Sequence, residues 1–133
     1  MFKDLISVLR RTRPDEQVTA QISRMIQLSH TLVIEAGLNL FAVSAQPVDS
    51  QFFEQDRQIN SIQQNIRKQL VGQLALSTAV ERAQFLVIIN LIKDIERLGD
   101  YAKNLLEVAQ LLARPLPQDG LLAELEQIRT SVE

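Results

Sequence analysis

The chain has no cysteine, and proline, glycine and aromatic residues are few. Without cysteine it cannot form a disulfide, a thiolate metal site or a cysteine nucleophile, which fits a reducing compartment. Only four glycines and four prolines are available to break regular structure among 133 residues. Because hydrophobic residues make up 46% and aromatic residues only 5%, the composition favours helices over sheet and one packed core.

Several functional classes lack the residues that they need. The net charge of −2 gives no general reason to expect a nucleic-acid partner. The longest apolar run, residues 85–92, is far shorter than the roughly 18–20 residues of a bilayer span. There is no glycine-rich phosphate loop, and the single histidine, His30, lacks the preceding glutamate of a di-iron bundle. With no secretory signal at its start, we expect a cytoplasmic protein. No local motif indicates catalytic residues, such as those of a Ser-His-Asp triad.

Three long stretches repeat apolar residues at helical spacing, and prolines or capping residues separate them. Asp15 is a candidate N-cap, and Thr78 with Glu81 has the spacing of a capping box. Three long helices and a short fourth one are predicted at Asp15–Ala45, Asp49–Leu76, Thr78–Ala113 and Leu121–Ser131.

Short connections make neighbouring long helices antiparallel. The predicted fold is all-α, an elongated antiparallel three-helix bundle with short N- and C-terminal helices. Its predicted parts are an amphipathic helix at 1–13, the three-helix domain at 15–113, and a linker with a short helix at 114–133. The stripe of the third long helix that we expect in the core comprises Ile88, Leu91, Ile92, Ile95, Leu98, Ala102, Leu105, Leu106, Ala109 and Leu112.

The stretch DIERLGDYAKN, residues 94–104, carries two acids four residues apart with a glycine between them. A glycine inside a helix costs about 0.5–1 kcal/mol relative to alanine, so Gly99 needs a reason. At 100° per residue, Glu96 and Asp100 lie beside the core stripe. On the preceding helix Asp56 and Asn60, also four apart, border the core in the same way.

Oxygen-bearing pairs at this spacing can reach one hard or borderline cation, such as Mg, Mn, Fe or Zn. At this spacing an alternative without a metal ion is more frequent than a metal site. In it the acids belong to a solvated helix face, and Arg97 and Lys103 pair with them. The sequence pattern by itself leaves both interpretations open.

The stretch Leu91–Leu105 resembles the signature of PhoU-type phosphate-regulatory proteins, D-x-E-R-x-G-D-x-x-x-N. In the preceding helix Asp56 and Ile59 match the family pattern, but Asn60 replaces its second acid and Gln63 replaces a glutamate. The resemblance covers roughly Gln21 to Leu112. The positions that carry the signature are Asp94, Glu96, Arg97, Gly99, Asp100 and Asn104.

The resemblance implies a regulatory adaptor in phosphate homeostasis that contacts a phosphate or other ion transporter, or a sensor kinase. It also implies a divalent metal ion held by Glu96, Asp100 and Asp56, with Asn60 and Asn104 as further polar ligands. Because two of the family's acids are replaced, it implies a site smaller than the family's multinuclear clusters, or none. Gly99 would let a neighbouring helix or a ligand approach the backbone.

Two other hypotheses stay open. The chain could be a generic helical scaffold or transporter-associated interaction module, whose acids only add solubility. A metal-dependent enzyme is a more distant alternative. Neighbouring genes for phosphate transport would favour the regulatory adaptor over both.

The chain shows one E-R-x-G-D motif, whereas many members of the family have two three-helix repeats. We therefore expect either a homodimer that rebuilds a two-domain assembly, or a fragment or reduced member. The apolar residues Phe52, Phe53, Phe85 and Ile89 exceed what one three-helix core readily hides, which favours an isologous homodimer.

The first residues form a basic amphipathic pattern with a net side-chain charge of +3 before Pro14. Such a helix can lie on an anionic membrane surface, in keeping with a place beside a transporter at the inner face of the membrane. The simpler alternative is that its apolar residues cap the end of the bundle. The residues expected to contact a partner or membrane are Phe2, Leu5, Ile6, Leu9, Arg10 and Arg11.

Overall fold

The structure, a computed structural model, describes residues 15–42, 50–112, 115–117 and 119–132. These residues form four helices and contain no strand, which confirms the all-α prediction. The predicted helix at 1–13 lies outside the described residues. The helices are α1 Glu16–Phe41, α2 Ser50–Gln73, α3 Ala79–Leu111 and α4 Gly120–Val132.

The starts of α1 and α3 are set by the caps that the sequence predicts. The Asp15 carboxylate accepts a hydrogen bond from the backbone N–H of Gln17 at 3.4 Å. At α3, the backbone N–H of Thr78 donates to the Glu81 carboxylate at 2.7 Å, and that of Glu81 donates to the Thr78 hydroxyl at 3.3 Å. Hydrogen bonds from the Thr78 backbone and side chain hold the pKa of Glu81 below its usual value.

The C-terminal ends of α1 and α2 come earlier than predicted. Ala42 already has extended backbone angles, so α1 ends at Phe41. After α2, the backbone N–H groups of Leu74 and Leu76 bond to carbonyls three residues earlier, at Val71 and Gln73. Such tight bonds are typical of the turns that end a helix, and they bring the chain round to α3.

The first three helices pack against one another in the antiparallel order that the short connections predict. Midway along the bundle the Ser29 hydroxyl of α1 donates to the Ile95 carbonyl of α3 at 3.2 Å. None of the described helices is long and apolar enough to cross a membrane. The largest fully buried side chains include Phe52, Ile22, Met25, Leu32, Ile59, Ile66, Leu70, Ile88 and Ile92.

The predicted core stripe of α3 is correct except at two leucines. Leu98 is 46% exposed and Leu105 is 38% exposed, whereas Gly99, which was not among the predicted residues, is buried. Gly99 faces the core because Leu32 and Ile59 approach it closely, which turns Leu98 outward. Of the four apolar residues that we expected in excess, Phe52 is fully buried and belongs to this core. Phe85 and Ile89 pack partly against it, and Phe53 is exposed.

We expect Thr78→Ala to lower the free energy of unfolding by about 1 kcal/mol, because it removes the side-chain cap of the longest helix. Urea denaturation followed by circular dichroism measures the change. Thr31→Ala is the control, since Thr31 is exposed inside α1 and its hydroxyl bonds only to the preceding turn. Equal losses in the two variants would contradict a capping role.

Candidate functional site

The three long helices meet at Gly99 of α3. A Cβ atom built on Gly99 would lie 3.5 Å from Asp56 Oδ1 and from Ile59 Cδ1, and 3.8 Å from Leu32 Cδ1. These are ordinary contact distances, so a single methyl group fits there. A longer side chain has no room, because α2 and α1 already fill the space. The missing side chain thus lets a carboxylate of α2 lie against the backbone of α3.

That carboxylate is the one buried acid of the described residues. Asp56 is only 9% exposed, although it carries a charge. The Lys103 ammonium of α3 donates to Asp56 Oδ2 at 3.1 Å. The same ammonium lies 3.0 Å from Asp100 Oδ1, one helical turn earlier. One lysine therefore joins a buried acid of α2 to a half-exposed acid of α3.

The surroundings of Lys103 favour its charged form. Partial burial is the largest single influence and lowers the pKa of Lys103. Hydrogen bonds and charges from Asp100 and Asp56 act in the opposite direction, and together they raise the pKa of Lys103 above its usual value. The ammonium is therefore fully protonated at neutral pH and supplies a permanent positive charge to the site.

The structure brings together two of the three predicted metal ligands, Asp56 and Asp100, around Lys103. Glu96 is half-buried on α3, and its side chain makes no hydrogen bond or ion pair within the described part of the chain. Of the two predicted polar ligands, Asn60 is half-buried and Asn104 is exposed. The predicted contact residues Phe2, Leu5, Ile6, Leu9, Arg10 and Arg11 lie outside the described residues.

As folded, these donors do not fit a divalent metal ion. No group of three or more His, Cys, Asp or Glu side chains among the described residues could hold one. The two aspartates that do meet already share the ammonium of Lys103. The binding of a metal at Glu96, Asp100 and Asp56 stays a prediction.

The pairing of Lys103 with acids was one of the two interpretations that the sequence left open. The alternative in which a basic residue pairs with the acids is what the structure shows for Lys103. Arg97 does not join it and lies 3.9 Å from Asp94, where both side chains are largely exposed. The spacing of Asp100 and Lys103 was a visible signal, but the link to Asp56 depends on how α2 packs against α3.

Comparison with known proteins places these residues in a family. The family model of the PhoU domain matches residues 20–109, which are 90 of the 133 residues. The chain belongs to the PhoU domain family. No curated protein and no solved structure matches the chain.

The PhoU match confirms the resemblance and extends over most of the bundle. It runs from α1 through α2 and nearly to the end of α3, and it includes Asp56, Gly99 and Lys103. Helix α4 lies beyond the matched residues. The PhoU family is regulatory and belongs to phosphate homeostasis, so the match indicates a regulatory protein of that class.

Substitutions at Gly99 test the close approach of α2. We expect Gly99→Ala to raise the free energy of unfolding by up to about 1 kcal/mol, because a methyl group fits and alanine favours the helix. Gly99→Leu should lower it by about 1–3 kcal/mol through overpacking. Urea denaturation of both variants gives the two values.

Gly72 provides the matched control, because nothing lies within 4 Å of the Cβ that a substitution would add there. Gly72→Ala and Gly72→Leu should therefore both leave stability unchanged or raise it. If leucine were tolerated equally well at both glycines, the close packing at Gly99 would be contradicted.

Loss of the ammonium should destabilise the bundle. We expect Lys103→Met to lower the free energy of unfolding by about 1–3 kcal/mol, because it leaves the Asp56 carboxylate buried without a counter-charge. Lys93→Met, at an exposed lysine of the same helix, should change it by less than about 0.5 kcal/mol. Chemical denaturation that finds the two variants equally stable would show that the ion pair contributes nothing.

Proposed function

We propose that the chain is a regulatory adaptor in phosphate homeostasis that acts by protein–protein contact and not by catalysis. Membership of the PhoU family supports the role in phosphate homeostasis. An exposed apolar surface on α3 supports action by protein–protein contact. One proposed partner is a second copy of the chain. The other is a phosphate or other ion transporter, or a sensor kinase. The proposed place of action is the cytoplasm, at the inner face of the membrane.

The observation that carries this proposal is the outer stripe of α3, defined as Val87, Leu98, Tyr101, Leu105 and Val108. All five side chains are between 38% and 57% exposed. Each comes directly before a buried residue of the core stripe, so the outer stripe runs along the helix about 100° from the core.

The spacing of the outer stripe is that of a helix-pairing seam. From Leu98 the residues follow at three, four and three positions, which is the alternation of a and d positions in a heptad. Four large apolar side chains in one continuous line, from Leu98 to Val108, exceed the scattered apolar residues of an ordinary protein surface. A helix of a second copy can pair with this seam, since a two-fold axis brings the same residues together from both sides.

Negative charges placed in the outer stripe should dissociate the dimer into monomers. We expect wild-type protein to be a dimer at micromolar concentration by light scattering, and Leu98→Glu/Leu105→Glu to be a monomer with unchanged helix content. Leu38→Glu/Val71→Glu is the matched control, because these apolar residues are exposed on α1 and α2. The control variant should remain a dimer. A monomeric wild type, or two variants that behave alike, would contradict pairing through α3.

The regulatory role is tested separately in cells that contain the protein naturally. Deletion of the gene should change phosphate uptake, measured with radioactive phosphate, and wild-type protein should restore it. The control variant should restore uptake, whereas the outer-stripe variant should not. If deletion leaves uptake unchanged, the role in phosphate homeostasis fails even where the protein is a dimer, and a general scaffold becomes the better hypothesis.

A further inference from the structure

We propose that the Lys103 ammonium group is the resident cation of the Asp56–Asp100 pair and keeps divalent metal ions out of it. The proposal differs from what the family resemblance implies, which is a metal ion at these acids. It also stands apart from the proposed adaptor function, because it concerns the interior side of α3 and not its outer stripe.

A metal ion and the Lys103 ammonium need the same oxygen atoms. Lys103 Nζ lies 3.1 Å from Asp56 Oδ2 and 3.0 Å from Asp100 Oδ1. Divalent ions of the hard class hold carboxylate oxygens at about 2.0–2.6 Å. An ion that bridged these two oxygens would occupy the position of the ammonium. Lys103 would have to leave first, since two cations repel strongly at such short separation.

The geometry of the helix directs the Lys103 side chain to this place. Side chains of a helix lean toward its N-terminus, over the residue four positions earlier. For Lys103 that residue is Gly99, which has no side chain and against which the Asp56 carboxylate lies. Asp100, three positions before the lysine, is the second neighbour on the same face. The order Gly99, Asp100, Lys103 thus builds a lysine-filled cation site on one turn of α3.

Asp56 holds the Lys103 ammonium in this position. Asp56 is buried, and a buried carboxylate without a counter-charge is unfavourable. If Lys103 swung into solvent, Asp56 would lose that counter-charge. A metal ion would then have to replace it with only Asp56 and Asp100 as charged ligands, because Glu96 does not reach them in this structure.

Manganese binding tests the proposal, with Mn²⁺ as the probe because its preferred ligands are oxygens. Protein treated with EDTA is titrated with Mn²⁺, and binding is followed by calorimetry and by the thermal unfolding midpoint. We expect wild type and the exposed-lysine control Lys93→Met to bind Mn²⁺ equally weakly. Lys103→Met should bind Mn²⁺ about tenfold more tightly or better, because a unit positive charge beside the site is gone.

Two further variants keep the test decisive. Lys103→Met/Asp56→Asn should lose the gained Mn²⁺ binding, which locates the gain at this site. Lys103→Gln, which keeps a hydrogen-bond donor, replaces Lys103→Met if that variant does not fold by circular dichroism. Equal Mn²⁺ affinity of wild type and the Lys103 variant would overturn the proposal, because the lysine would then exclude nothing. Absence of binding in every variant would overturn it too, since the two aspartates would then form no cation site.

Discussion

The ion pair between Asp56 and Lys103 is the constraint on which the middle of the bundle depends. A carboxylate can be buried between two helices only where a backbone leaves it room and a cation neutralises it. Gly99 supplies the room and Lys103, four residues later, supplies the cation. The three residues therefore act as a unit that joins α2 to α3, at a position with space for a methyl group but not for a longer side chain.

The same constraint explains why α3 has two apolar faces. Because Gly99 must face α2 and α1, the residue before it turns away from the core, and Leu98 is exposed. Tyr101 and Leu105 follow at three and seven positions and lie on the same outer face. The orientation that buries the acid thus also presents an apolar seam to solvent. The site within the bundle and the surface proposed for partner binding are two consequences of one helix orientation.

Much of the fold could be predicted from sequence because it depends on local rules. The capping box at Thr78 and the N-cap at Asp15 are signals within four residues, and both are confirmed. The ends of α1 and α2 were predicted too far along because no proline directly follows either helix, and Gly72, near the end of α2, was not taken as a stop. Leu98 was misplaced for a different reason. Apolar periodicity favours a leucine over the adjacent glycine, and only the approach of Ile59 from α2 reverses that choice.

The candidate site was predictable in its members but not in its geometry. Asp56, Asp100 and Lys103 all border the core on helical angles, so their types and faces could be read from the sequence. Whether Lys103 extends into solvent or turns inward depends on where the buried Asp56 carboxylate lies, which is set by the packing of α2 against α3. Glu96 lies one turn before Asp100 on the same helix, yet its side chain does not join the shared cation. Helical spacing alone therefore does not determine which side chains meet.

A cation that belongs to the chain has a different physical consequence from one that is bound. A metal ion stabilises a fold according to its free concentration and its dissociation constant, so that its contribution vanishes when the metal is scarce. The Lys103 ammonium is present in every molecule, and it joins two helices without the loss of translational freedom that binding costs. With Lys103 as its resident cation, the bundle holds α2 and α3 together at any metal supply.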